Sequence, residues 1–121
     1  MTDKFDTATL DALRSTMEIR IIPSGHRGAG IIIWAVAVGD EAFVRSVKGA
    51  NARWYKSVAA DGRATLAIGD RRIAVRASPV SVPAAIERVS REYLTKYRDS
   101  EYAPAMVRPE VLDTTLLLEP A

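Results

Sequence analysis

The sequence predicts an α+β, mainly β protein: a six-stranded antiparallel barrel or strongly coiled sheet with helices packed outside. Three observations predict it. Six short runs are alternating or rich in β-branched residues, and most are separated by tight-turn residues. Helical spacing is confined to three stretches, one at the start, one after the third strand and one before the last. The chain has 121 residues, 48% of them hydrophobic, which makes one domain (residues 1–121) with a core of its own.

The elements follow in order. Asp6 or Thr7 caps a short helix through Leu10 and Leu13, which share one face and brace the barrel. Glu18–Ile22 is a strand stopped by Pro23. Ser24–Gly30 is a loop, because Gly25, Gly28 and Gly30 oppose regular structure. Ile31–Val38 is apolar on both faces, so it is expected to be one central strand. After the turn Gly39-Asp40-Glu41, the run Ala42–Val47 alternates as a strand. Asn51 is the expected N-cap of a helix that runs to about Ala60 and ends at Asp61-Gly62. Ala64–Ile68 and Arg72–Ala77 form a hairpin across Gly69-Asp70, with the glycine suited to the first position of a II′ turn. Pro83 opens a helix with Ile86, Val89, Tyr93 and Tyr97 on one face. Asp99–Pro109 reads as an irregular loop with at most one helical turn, and Asp113–Glu119 as the closing strand.

Composition narrows the function classes. No cysteine is present, which removes disulfides, thiolate metal sites and cysteine nucleophiles and suits a cytoplasmic location. His26 is the only histidine and lies in the glycine loop, so no multi-histidine metal site is expected. The longest apolar run, Ile31–Val38, is far short of the ~20 residues of a membrane helix. Met1–Asp6 lacks the basic start and apolar stretch of a leader. The glycine loop precedes a strand, whereas phosphate-binding glycine motifs open a helix, so it is not a nucleotide loop.

The net charge of +2 is unevenly placed. Between Val44 and Arg76 stand Arg45, Lys48, Arg53, Lys56, Arg63, Arg71, Arg72 and Arg76 against Asp61 and Asp70, a local +6. Such a field attracts anions. It converges where the third strand meets the second helix. Ser46 supplies a hydroxyl, Lys48 an ammonium, Gly49 close backbone approach, and a helix start near Asn51 unpaired amides. Arg53 flanks the same point, and Trp54-Tyr55 offers flat surface to a ring, although adjacent helical residues diverge and only one of the two can face it. An anion joined to an aromatic ring describes a phosphorylated cofactor. The plainer reading is a solvated connection with Lys48 in water and Trp54 in the core.

The run from Ile33-Trp34 through Val44–Gly49 to Arg53-Trp54-Tyr55-Lys56, with Tyr93-Leu94-Thr95-Lys96-Tyr97 and the terminal strand, resembles a bacterial family, domain of unknown function 2255. That family is similar to the split β-barrel superfamily of pyridoxamine 5′-phosphate oxidase-like flavoproteins and deazaflavin-using reductases. The resemblance implies a six-stranded split β-barrel whose Ser-x-Lys-Gly corner holds a cofactor phosphate. It implies FMN or a deazaflavin bound by Arg45, Ser46, Lys48, Gly49, Asn51, Arg53, Trp54 and Lys56, without metal, in a homodimer with oxidoreductase-like chemistry. Two departures are visible. Ala59-Ala60-Asp61-Gly62 replaces an Asn-Pro pair, and Lys56 stands where asparagine is frequent. They keep open a cofactor-less binding or dimerisation module for another small anion. Nucleic-acid binding ranks last, because the net charge is low and few aromatics lie among the arginines.

Overall fold

A computed structural model describes residues 4–121. Met1–Asp3, part of the stretch read above for a leader, lie outside the described residues. Helix α1 (Thr7–Ser15) starts on Asp6, whose carboxylate accepts the Thr9 amide at 2.8 Å. Strands β1 (Ile19–Pro23), β2 (Ile31–Ile33), β3 (Ala35–Val38) and β4 (Glu41–Val44) follow. A 3-10 turn (Gly49–Asn51) leads into α2 (Arg53–Asp61), and β5 (Arg63–Ile68) and β6 (Arg71–Pro79) form the hairpin. Then come α3 (Pro83–Lys96), a 3-10 helix (Ala103–Val107), α4 (Pro109–Leu112) and β7 (Leu116–Pro120).

The strands make one antiparallel sheet in the order β2-β1-β5-β6-β7-β4-β3. Its two ends, β2 and β3, are consecutive in the chain and separated by Trp34 alone. The sheet therefore curls until its edges come together there, as a nearly closed barrel. There are seven strands rather than six, because Ile31–Val38 breaks at Trp34. The Trp34 carbonyl accepts the Tyr93 hydroxyl at 2.7 Å, and its ring stacks on Tyr97 at 3.9 Å. Ile33 pairs with Ile19 on one side of the break, and Ala35 pairs with Val44 on the other. The expected central strand is thus split between the two edges.

Its apolar character has two separate causes. Ala35, Val36 and Ala37 are buried on both faces. Ala35 and Ala37 face the barrel interior with Leu13, Ile21, Leu66 and Leu116. Val36 and its partner Phe43 face outward under α3, packed with Val89, Tyr93 and Tyr97. Ile31 and Ile32, by contrast, stay exposed.

Most local signals are realised. The hairpin closes between Ile68 and Arg71 with Gly69 at φ +58°, which suits the II′ geometry. Strand β4 ends at Val44, short of the expected Val47, because the Ser46 amide donates to Thr114 Oγ1 instead of to a neighbouring strand. The segment expected to hold at most one helical turn carries the 3-10 helix at Ala103–Val107 and α4 from Pro109, each opened by proline. Lys96, at the end of α3, donates to the carbonyls of Leu13, Thr16 and Ala35, tying α1 to β3. Burial lowers its pKa to about 8.

Candidate functional site

A cavity of about 800 Å³ opens where the barrel edges meet. One wall is Gly30 and β2, with Arg20 from β1 beside it. Opposite run Arg45–Lys48, the chain that leaves β4, and Ala52–Trp54, the start of α2. Trp34 lines the cavity from the strand break, and Tyr102, Ala105 and Met106 close it from the 3-10 segment.

Gly30 is required by close approach. It adopts φ +85°, and a Cβ there would lie 2.5 Å from the Ile21 carbonyl oxygen. The glycine loop therefore returns flush against β1, and Arg20 Nη1 donates to the Gly30 carbonyl at 3.2 Å.

The corner at 45–53 is locally ordered. The Ser46 hydroxyl donates to the Gly49 carbonyl at 2.8 Å, and the Gly49 amide returns to the Ser46 carbonyl at 2.9 Å. Asn51 is not the helix cap. It ends the 3-10 turn, points into solvent and does not line the cavity. Helix α2 begins two residues later, with Ala52 at the cap position and no side chain bonded to its first amides. Ala52, Arg53 and Trp54 line the cavity, so this uncapped, partly positive helix start opens into it.

Lys48 and Arg53 are exposed on the cavity wall, and among the described residues neither is engaged in a hydrogen bond or ion pair. Among the described residues no aspartate or glutamate lines the cavity. Arg45 is different. It is only 1% exposed and donates from Nε to Thr115 Oγ1, from Nη1 to Ser90 Oγ and the Met106 carbonyl, and from Nη2 to the Ile86 carbonyl. Its guanidinium lies 5.5 Å from the centre of the Tyr93 ring, and burial lowers its pKa. Every acceptor is neutral, so its charge adds to the positive field of the cavity floor.

Of the residues singled out by sequence, Arg45, Ser46, Lys48, Arg53 and Trp54 line the cavity together. Gly49 shapes the corner from behind, and Asn51 and Lys56 are exposed away from the lining. Trp54 and Tyr55 diverge: Trp54 faces the cavity, while the Tyr55 hydroxyl reaches the Asp113 carbonyl at 3.4 Å. His26, Arg27, Arg72 and Arg76 do not line it. Arg20, Trp34 and Tyr102 escaped sequence reasoning. Arg20 had one local signal, as the outward residue between Ile19 and Ile21. Nothing local marks Tyr102.

Among the described residues no group of three or more His, Cys, Asp or Glu side chains stands together to hold a metal. No described helix is long and apolar enough to cross a membrane.

Several solved structures share the fold. A conserved hypothetical protein of Mycobacterium tuberculosis superposes with a TM-score of 0.62 at 15% identity, over 100% of this chain and 83% of that one. ChuZ of Campylobacter jejuni gives 0.64 at 8% identity, over 98% of this chain but only 55% of ChuZ, so the chain spans about half of that protein. A putative pyridoxamine 5′-phosphate oxidase of Listeria innocua gives 0.60 at 12% identity, over 94% and 90% of the two chains. At these identities the likeness is one of fold, the split barrel. No curated protein matches the sequence. The family model described as an uncharacterized protein conserved in bacteria, DUF2255, matches residues 9–118, and the chain belongs to that family.

Proposed function

We propose that this chain is a cytoplasmic, homodimeric split-barrel protein that binds FMN or a deazaflavin in the cavity and has oxidoreductase-like chemistry. One observation carries the reading. Lys48 and Arg53, two cations that have no partner among the described residues, flank the uncapped start of α2 on a cavity that no described carboxylate lines. An anion there gains charged hydrogen bonds without displacing an internal ion pair. The shared fold with a putative pyridoxamine 5′-phosphate oxidase supports the choice of a phosphorylated ring.

The residues present fit such a group. Lys48, Arg53 and the first amides of α2 hold the phosphate, Arg20 serves a second polar edge, and Ile31–Ile33, Val47 and Met106 exclude water from the ring. When bound, the cofactor supplies hydride or electron transfer. The protein's part is orientation and electrostatics, which fits a cavity that no histidine or carboxylate among the described residues lines. The exposed Ile31 and Ile32, on an edge strand, support a second copy pairing on that side.

The test is titration of FMN and of the oxidised deazaflavin cofactor, followed by fluorescence, with native mass measured on the same sample. Saturable quenching that Lys48→Ala weakens is the expected result. Protein that binds neither cofactor, yet retains a small anion, returns the reading to a cofactor-less module.

A further inference from the structure

The three aromatic side chains of the cavity are not equivalent. Trp34 is half-buried, with one face against Tyr97 at 3.9 Å and an interplanar angle of 3°. Trp54 is 9% exposed and meets Tyr55 edge-on at 6.1 Å. Both are committed to the protein's own packing. Tyr102 is 67% exposed at the cavity mouth, and among the described residues no ring lies against it and its hydroxyl has no hydrogen bond.

Its backbone, however, is held. The Tyr102 amide donates to Ser100 Oγ at 3.1 Å, and its carbonyl accepts from the Ala105 amide at 3.0 Å. The segment that carries it is fastened twice to the anion corner. Arg45 Nη1 donates to the Met106 carbonyl at 2.9 Å, and Arg108 Nη2 donates to the Val47 carbonyl at 2.8 Å. A flat ring is thus presented, with its faces free, on the rim of the cavity that Lys48 and Arg53 line.

We propose that Tyr102 is the outer wall of a ring subsite: it stacks on the aromatic portion of a ligand whose phosphate lies at Lys48 and Arg53. This rests on the reading of the cavity as a site for an anionic aromatic ligand, and it assigns ring selectivity to Tyr102 instead of to Trp54. The site then takes aromatic phosphates in preference to sugar phosphates of the same charge. Stacking is tolerant of ring identity, so the preference extends to any fused planar ring of suitable size.

The experiment compares FMN with ribose 5-phosphate on the full chain, by calorimetry and by flavin fluorescence. Wild-type protein is expected to bind FMN at least tenfold more tightly than ribose 5-phosphate. Tyr102→Ala loses about tenfold for FMN and nothing for ribose 5-phosphate, whereas Lys48→Ala weakens both. Tyr102→Trp, which keeps a stacking ring, retains FMN affinity and deepens the quenching at saturation. Unchanged FMN affinity in Tyr102→Ala, or unchanged quenching in Tyr102→Trp, overturns the assignment and leaves the phosphate corner standing. Wild-type protein that binds both ligands equally does the same. Failure to bind either ligand removes the corner and the ring wall together. The substituted side chain is exposed, so circular dichroism and the melting temperature are expected to match wild type.

Discussion

Arg45 Nη1 donates to the carbonyl of Met106 at 2.9 Å, joining the end of β4 to a segment 61 residues later in the chain. The same guanidinium holds α3 through Ile86 and Ser90 and the approach to β7 through Thr115. One buried side chain therefore sets the distance between the corner at Ser46–Arg53 and the wall that carries Tyr102.

Removing it should be costly. Arg45→Ala leaves the Met106 and Ile86 carbonyls without their donor and opens a void beneath the cavity. A loss of about 3–5 kcal/mol is expected, the range for breaking a buried charged network. Urea unfolding measures it, and a loss under about 1 kcal/mol would show that the network is replaceable by water.

The exposed cations should behave in the opposite way. Lys48→Ala and Arg53→Ala are each expected to lower FMN affinity about tenfold while leaving stability within about 0.5 kcal/mol, because neither has a partner among the described residues. Affinity should fall with added salt in wild type and less steeply in either variant. Fluorescence titration at two ionic strengths checks both statements.

Gly30→Ala tests the close approach of the glycine loop. Its new Cβ would meet the Ile21 carbonyl oxygen at 2.5 Å and Ile22 Cγ1 at 2.7 Å, with φ at +85°. A destabilisation of about 2–3 kcal/mol is expected from overpacking and backbone strain together. Gly28→Ala has a similar φ and open space around it, so it should cost less. The two melting temperatures decide the matter.

Asp6 sets a pH dependence at the acid end. Hydrogen bonding from Thr9, first through its side chain and then through its amide, with Arg71 a smaller influence, holds its carboxyl below the ordinary aspartate value. A carboxyl depressed by folding stabilises the protein above its unfolded pKa, and that contribution is lost as the pH falls through the folded value. Asp6→Asn should flatten this part of the acid limb and leave the neutral and alkaline range parallel to wild type. Thermal melts from pH 2 to pH 6 provide the measurement.

What could be read from residue order was whatever a few neighbouring residues decide. Asp6 caps α1, Gly69-Asp70 turns the hairpin, Pro83 opens α3, and Val89, Tyr93 and Tyr97 bury one helical face. The corner at Ser46–Arg53 was legible for the same reason, since its hydroxyl, glycine and cations are contiguous in the chain. Position within the sheet was not legible. An apolar run looks the same whether it crosses the centre of a barrel or straddles its seam, and only the Tyr93 and Tyr97 contacts 59 and more residues away break it at Trp34. The helix start moved from Asn51 to Arg53 because the Ser46–Gly49 hydrogen bonds first close a 3-10 turn. Arg20, Tyr102 and Met106 belong to the cavity because long-range pairing of β1 and the grip of Arg45 bring them there. Local chemistry chose the elements; closure of the barrel chose which of them share a site, because that choice depends on contacts far apart in the chain.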